Sequence, residues 1–145
     1  MAEDQTEASP SFTRVFASTL DSVDEAEESV LKLAGEMGFA EDDLHKLGMA
    51  VREAMVNAVV HGNRYDVNKK IHFAAVAKGS ELRVSITDEG TGFDATSLPD
   101  PLAEENLLRQ SGRGLLLIKA FVDEFEMRKA PPLGTEIRLS KRKQS

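Results

Sequence analysis

Two neighbouring runs of alternating apolar and polar residues constrain the fold of this chain most. They cover residues 71–77 and 82–88, and residues 78–80, which include a glycine, lie between them. Alternation gives a β-strand one apolar face, and a short connection that contains glycine is typical of a β-hairpin. A hairpin with one apolar face needs a second layer of structure to cover that face.

Two segments with helical periodicity precede the hairpin and can supply the covering layer. In the first, Ser22 and Glu25 have the spacing of a capping box, apolar residues recur at three- and four-residue intervals, and Gly38 is expected to end the helix. The second is expected to begin near Glu41, where acidic residues suit the positive end of a helix, and to carry apolar residues as far as Val59.

The remaining elements follow from shorter patterns. A strand is predicted over 11–19, a helix over 115–122, and two further strands over 124–129 and 135–140. The order β-α-α-β-β-α-β-β predicts an α+β fold, a two-layer α/β sandwich in which helices cover one face of a mixed, mostly antiparallel sheet.

The chain divides into three parts by composition. We expect the acidic, polar residues 1–10 to form a disordered N-terminal arm, residues 11–140 to form one domain, and residues 141–145 to form a basic, solubilising tail. Inside the domain, the stretch 95–110 has two prolines and little regular pattern. A connection of that length in a compact domain is usually functional or mobile.

Composition excludes several functional classes. The chain has no cysteine, which excludes a thiolate nucleophile, and its three histidines form no metal-binding pair, which argues against a zinc site. The net charge of −7, from 18 basic and 25 acidic residues, does not attract nucleic acid or anionic lipid. With no apolar run long enough to cross a bilayer and a polar start, the sequence predicts a cytoplasmic protein without direct nucleic-acid or membrane contacts.

The first of three candidate functional segments is a polar row on the second helix. Glu53, Asn57 and His61 are spaced four residues apart and so share one helix face. An ordinary amphipathic helix with a solvated edge explains such a row equally well. Asn57 favours function, since asparagine is a poor helix former whose amide oxygen suits a hard cation such as magnesium.

The second segment follows the second strand of the hairpin. Asp88 continues the inward alternation of that strand, and Gly90 and Gly92 come after it. A carboxylate on the core side needs a partner, and the exocyclic amine of adenine can be one, approached closely because glycine has no Cβ. A plain strand-ending turn is the alternative.

The third segment precedes a helix and is rich in glycine. Gly112, Arg113, Gly114 and Leu115 lead into the predicted helix, and a helix N-terminus of this kind can bind phosphate oxygens. A flexible hinge is the alternative. The chain has no GxxxxGK[ST] motif, which excludes a P-loop.

The order of these segments resembles a known superfamily. EAMVNAVVHGN, DEGTGFD, SGRGLLLIKAFVDEF and GTEIRL are similar to the N, G1 and G2 boxes of the GHKL (Bergerat) ATPases, which include gyrases, histidine kinases and heat-shock chaperones. Within that superfamily, the chain is most similar to the anti-sigma-factor serine/threonine-protein kinases of the bacterial partner-switching system. The similarity extends over about residues 12–139.

The resemblance implies ATP and Mg²⁺ as ligands and a role for each motif. Asn57 would be the magnesium ligand, Glu53 the general base for the attacking serine hydroxyl, and Asp88 the acceptor for the adenine amine. Either Arg109 or Arg113 would place a positive charge near the terminal phosphate. The other implied nucleotide contacts are His61, Gly90, Gly92, Phe93, Gly112, Gly114, Leu115 and Thr135. One departure is Leu116, where many members have a further glycine.

Three functions are compatible with these motifs. The first is an ATP-dependent protein-serine kinase and anti-sigma factor, a homodimer that phosphorylates a small antagonist protein and sequesters a sigma factor. The second is a related switch kinase that acts on a scaffold or a phosphatase. The third is a non-catalytic module whose ATP or ADP state controls protein binding. A detached catalytic domain of a histidine kinase is a further alternative.

Overall fold

The computed structural model describes residues 11–90, 114–132 and 134–143. Five strands form one sheet in the order β1-β2-β3-β5-β4, and every pairing between neighbours is antiparallel. In chain order the elements are β1 (Ser11–Ala17), α1 (Leu20–Met37), α2 (Glu41–Val56), a π-helical turn (Asn57–Gly62, here the π-turn), β2 (Lys70–Lys78), β3 (Glu81–Thr87), α3 (Gly114–Phe121), β4 (Glu124–Lys129) and β5 (Thr135–Arg142). The predicted α+β fold is confirmed.

The core lies between the sheet and the helices that cover one of its faces. Leu47 of α2, Ile86 of β3 and Ile118 of α3 are completely or almost completely buried there. Phe73 of β2 stacks on Phe12 with ring centroids 5.8 Å apart, and it meets the ring of Phe16 edge-on. The apolar residues of the alternating pattern that predicts the hairpin therefore lie on the face that the helices cover. None of the helices in the described residues is long and apolar enough to cross a membrane.

The first helix begins earlier than its sequence pattern predicts. Thr19 has an extended backbone, and its hydroxyl accepts a hydrogen bond from the Ser22 N–H at 3.4 Å, so Thr19 is the N-cap of α1. Ser22 lies inside the first helical turn and is buried. The predicted capping box at Ser22 is therefore wrong, because the hydroxyl of Thr19 occupies the cap position instead. Gly38 ends the helix in the left-handed region, as predicted.

The second helix ends in a wider turn that periodicity does not reveal. Regular α-helix stops at Val56, and the π-turn follows, after which the Asn63 N–H donates to Ala58 O at 2.8 Å. An i to i+5 hydrogen bond of this kind inserts one residue into the helical path. The two residues after Asn63, Arg64 and Tyr65, have φ of 53° and 61° and turn the chain towards β2.

The last strand is longer than predicted. The sequence pattern ends it at Ser140, but β5 continues to Arg142. Lys141 is buried, and its Nζ donates to Phe121 O at 2.9 Å and lies 3.7 Å from Asp43 Oδ1. Lys141, the first residue of the predicted tail 141–145, therefore lies within β5 and contacts both the end of α3 and α2.

Candidate functional site

Three segments meet where β3 ends: the π-turn, the residues that follow β3, and the start of β5. The Asp88 N–H donates to Thr135 O at 3.0 Å, which ties the end of β3 to the first residue of β5. The next amide, that of Glu89, donates to the Asn63 side-chain oxygen at 2.8 Å, which ties the same turn to the residue after the π-turn. Asp88, Gly90 and Thr135, all predicted from sequence to belong to one site, therefore lie together.

Asp88 presents one oxygen that has donors and one that has none in the described residues. The side chain is only 2% exposed, which agrees with the predicted inward alternation. Its Oδ1 accepts hydrogen bonds from the Gly90 N–H at 3.0 Å and the Thr135 N–H at 3.1 Å. Within the described part of the chain, Oδ2 accepts no hydrogen bond and lies against the backbone of Gly62.

Burial raises the pKa of Asp88 above the ordinary value of an aspartate. The two backbone N–H groups on Oδ1 and the positive charge of Lys69 act in the opposite direction and leave the net shift upward. A buried carboxylate oxygen without a donor costs free energy, and a ligand that supplies an N–H donor recovers part of that cost. The exocyclic amine of adenine has the required chemistry.

Two glycines allow the backbone to approach Asp88 this closely. A Cβ on Gly62 would overlap Asp88 Oδ2, and a Cβ on Gly90 would overlap the carbonyl oxygen of Gly62. Gly134 adds a third close approach, because a Cβ there would overlap Asp88 O, and its φ is 110°. Gly90 was predicted from sequence, whereas Gly134 was missed although it directly precedes Thr135.

Glu53 and Asn57 lie one helical turn apart at the end of α2. The helix is α-helical through Val56, so the predicted sharing of one face by these two side chains follows from the observed backbone. Both are half-buried, and within the described residues neither side chain has a hydrogen-bond partner. Half-buried polar groups without partners fit a bound ion or a reacting hydroxyl, so this pair fits the magnesium and base roles that the sequence implies.

His61 lies further along, inside the π-turn, and is exposed. The prediction that His61 shares a face with Glu53 and Asn57 requires a continuous α-helix. The π-turn interrupts the α-helix before His61, so that requirement is not met. Its contact with a nucleotide stays a prediction.

The glycine-rich segment before α3 is only partly described. Gly114 begins α3, and Leu115 is completely buried in the core. The remaining predicted residues of this region, Gly92, Phe93, Arg109, Gly112 and Arg113, lie outside the described residues. The choice between the two arginines therefore stays open.

Asn63 is a residue of the site that sequence patterns missed. Residues 61–63 were interpreted only as a helix breaker, yet Asn63 is 1% exposed and bonded to three segments. It also lines a cavity of about 520 Å³ together with Gly62, Arg64, Asp66 and Lys69. The available signal was a polar residue directly after a glycine at the end of a polar helix face.

Among the described residues there is no group of three histidine, aspartate or glutamate side chains that could hold a metal ion. Magnesium commonly takes one or two ligands from protein and the rest from phosphates and water, so an ion at Asn57 would not need such a group.

Comparisons with known proteins agree with this architecture. The sequence profile of the histidine kinase-like ATPase domain matches residues 16–141. An anti-sigma F factor of Oceanobacillus iheyensis is 29% identical over 128 residues, which cover 87% of this chain and 88% of that protein. Those of Bacillus subtilis and Shouchella clausii are 30% and 31% identical over 102 residues, which cover 69% of this chain and 70% of each relative.

Solved structures show the same fold at lower identity. The crystal structure of the RsbU and RsbW domains of Rv1364c from Mycobacterium tuberculosis matches with a TM-score of 0.67 and 23% identity, over 92% of this chain and 32% of that one. The mycobacterial sensor histidine kinase MprB matches with a TM-score of 0.55 and 17% identity, over 92% of this chain and 99% of that one. At these identities the likeness concerns the fold alone.

Proposed function

Because the chain belongs to the histidine kinase-like ATPase domain family, which binds ATP, we propose that it is a magnesium-dependent protein-serine kinase and anti-sigma factor. It phosphorylates a serine of a small antagonist protein and, when that antagonist is absent or phosphorylated, sequesters a sigma factor. Curated relatives that match most of the chain are named anti-sigma F factors, which supports the choice of both partners.

The main observation in support of a nucleotide site is the buried Asp88 carboxylate. Its Oδ1 accepts hydrogen bonds from two backbone N–H groups. Its Oδ2 has no donor within the described residues and lies against the backbone of Gly62 in the π-turn. An adenine amine would give this oxygen its donor. The nucleotide phosphates would then extend along the helix towards Asn57, and Thr135 would lie beside the base.

The residues at the end of α2 suit phosphoryl transfer. Asn57 would hold the magnesium ion, which when bound neutralises phosphate charge. Glu53, one turn earlier on the same face, would accept the proton of the serine hydroxyl as that oxygen bonds to the γ-phosphorus. The bond from the γ-phosphorus to its bridging oxygen breaks and ADP leaves. Phosphoryl transfer depends mainly on positioning and charge neutralisation, so this set needs no P-loop lysine.

The rest of the site extends the proposal beyond the described residues. Gly112 and Gly114 would close over the phosphates with backbone N–H groups, and Arg109 or Arg113 would neutralise the terminal phosphate. Gly92 and Phe93 would complete the wall beside the base, and His61, which the structure does describe, would contact the nucleotide. We also expect a cytoplasmic homodimer, in line with the resemblance.

Variants at the end of α2 separate binding from transfer. Glu53→Gln should keep the affinity for magnesium-ATP within about twofold and lower phosphate transfer by at least ~100-fold, because the lost carboxylate acts on the hydroxyl rather than on the nucleotide. Asn57→Ala should weaken the magnesium-dependent part of ATP binding instead. Titration calorimetry with and without magnesium measures the first quantity, and transfer of γ-phosphate to antagonist proteins measures the second.

The two variants are each other's controls, since they lie one turn apart on one helix face. If Glu53→Gln lost binding and transfer equally, the base role would be wrong. Unchanged magnesium dependence in Asn57→Ala would place the ion elsewhere.

A further inference from the structure

Asn63 is a buried polar side chain that the proposed chemistry does not use. Its Nδ2 donates to Ser18 Oγ at 2.8 Å and to Lys70 O at 3.0 Å, and its Oδ1 accepts the Glu89 N–H at 2.8 Å. These three partners belong to the residue after β1, the first residue of β2 and the turn after β3. One amide therefore joins three segments that are distant in sequence.

The orientation of this amide is fixed by the chemistry of its partners. Lys70 O can only accept a hydrogen bond and the Glu89 N–H can only donate one, so a flipped Asn63 amide would place like groups against each other. The Ser18 hydroxyl donates to Lys69 O at 2.5 Å, which leaves its oxygen to accept from Asn63. All hydrogen bonds of the network therefore run in one consistent direction.

The bond to Glu89 fixes the middle amide of the turn that carries the carboxylate. On one side the Asp88 N–H donates to Thr135 O, and on the other the Gly90 N–H donates to Asp88 Oδ1. Three consecutive amides, those of residues 88–90, thus each have a defined acceptor. Asn63 supplies the only side-chain acceptor among them that comes from outside the turn.

The same bond sets the distance between the π-turn and the turn after β3. The backbones of Gly62 and Gly90 are already so close that a Cβ on Gly90 would overlap Gly62 O. Asp88 Oδ2 also lies against Gly62. Because the two turns are in close contact at Gly62, a change in their separation changes the position of Asp88 Oδ2 relative to the π-turn.

We infer that Asn63 is a positioning residue for base recognition: its amide holds Asp88 so that Oδ2 meets the exocyclic amine of adenine. It acts through the backbone of the turn and touches no part of the nucleotide. This inference rests on the proposed function, which assigns the adenine amine to Asp88.

The test compares two nucleotides that differ only in this amine. Purine riboside triphosphate carries hydrogen in place of the amine, so its Kd divided by the Kd of ATP, both with magnesium, reports how well Asp88 meets the amine. We expect wild-type protein to prefer ATP by roughly tenfold or more, as a charge-assisted hydrogen bond implies. Asn63→Leu should remove most of that preference, and Ser18→Ala, which takes away only one support of the amide, should remove part of it.

Controls separate positioning from simple loss of stability. Val30→Ala removes buried methyl groups from α1 at a side chain that is 0% exposed, so it should lower the melting temperature and leave the Kd ratio unchanged. Calorimetry is performed well below the melting temperature of each variant. If Asn63→Leu and Ser18→Ala behaved like Val30→Ala, with lower stability and an unchanged ratio, the inference would be overturned.

Asp88→Asn distinguishes failure of the inference from failure of the proposed function. A ratio near one in Asp88→Asn with an unchanged ratio in the Asn63 and Ser18 variants would reject the positioning role alone. An unchanged ratio in Asp88→Asn would reject the adenine contact and the inference with it. If Asn63→Leu does not fold, Ser18→Ala decides: a reduced ratio supports the inference, and an unchanged ratio overturns it.

Discussion

The buried carboxylate of Asp88 opposes stability and favours ligand binding. Its pKa is raised by burial, so ionising it in the folded protein costs more free energy than ionising it in the unfolded chain. A group of this kind lowers stability as pH rises from its unfolded pKa through its folded pKa. Residues with this combination, buried and incompletely paired, are typical of functional sites.

Asp88→Asn should therefore raise the melting temperature of the nucleotide-free protein at neutral pH. The new amide oxygen can still accept the two backbone N–H groups, and no charge is buried. The advantage over wild type should shrink as pH falls towards the ordinary pKa of an unfolded aspartate, about 4, because the raised pKa of Asp88 means that the folded wild-type protein is protonated there before the unfolded chain is. Thermal scans of both proteins across this pH range measure the difference, and a constant difference at all pH values would contradict the assignment.

Gly62→Ala should disrupt the site by adding a single atom, the alanine Cβ. The added Cβ would overlap Asp88 Oδ2, so the π-turn and the turn after β3 must separate. We expect a loss of about 1–3 kcal/mol in the free energy of unfolding, the usual cost of an overpacked position. ATP affinity should fall by at least ~10-fold, because Asp88 and the end of the helix lose their common geometry.

Gly35→Ala is the matched control for that substitution. Gly35 lies in α1 and a Cβ there would meet nothing within 4 Å. The control should stabilise the protein by about 0.5–1 kcal/mol, since alanine loses less backbone entropy in a helix. Denaturant unfolding and calorimetry measure both variants, and equal effects of the two substitutions would refute the close-approach explanation.

Some residues of the site could be predicted singly and others could not. The inward position of Asp88 followed from strand alternation, which is a local property. The importance of Asn63 could not be predicted in this way, because its partners Ser18 and Glu89 lie 45 and 26 residues away in the chain. Only the folded sheet brings those groups together.

At the scale of elements, local periodicity identified the hairpin and the helices but not every end of an element. The π-turn escaped prediction because it covers the last residues of the helix, 57–62, so too few apolar positions follow it to reveal a changed period. The extension of β5 escaped because Lys141 is buried through contacts with Asp43 and Phe121, which belong to other elements.

Lys141→Met should loosen the helix that follows the glycine-rich segment. The lysine Nζ caps the C-terminal end of α3, where a positive charge suits the helix dipole, and it pairs with Asp43. Loss of a hydrogen bond and of a nearly buried ion pair should cost about 1–3 kcal/mol. Chemical denaturation measures this, with the exposed Lys78→Met as the control that should change stability little.

A double-mutant cycle with Asp43→Asn isolates the pair. If Lys141 and Asp43 interact, the loss in the double variant should be smaller than the sum of the two single losses by at least about 0.5 kcal/mol. Additive losses would mean that Lys141 acts through Phe121 O alone.

At the scale of the whole molecule, the motifs were more informative together than apart. The resemblance to the GHKL superfamily and to its anti-sigma-factor branch is confirmed by the matching family profile and the curated relatives. The sheet order β1-β2-β3-β5-β4 explains why motifs far apart in sequence converge, since it places the end of β3 beside the start of β5. Sequence order alone does not reveal that neighbourhood.

The most direct test of the central claim is transfer of radiolabelled γ-phosphate from ATP, with magnesium, to each small antagonist-type protein of the same genome. We expect label on a serine of one antagonist, and no label on any protein when Glu53→Gln replaces wild type. Absence of transfer from wild-type protein that binds magnesium-ATP tightly would contradict the kinase and favour a nucleotide-controlled binding module.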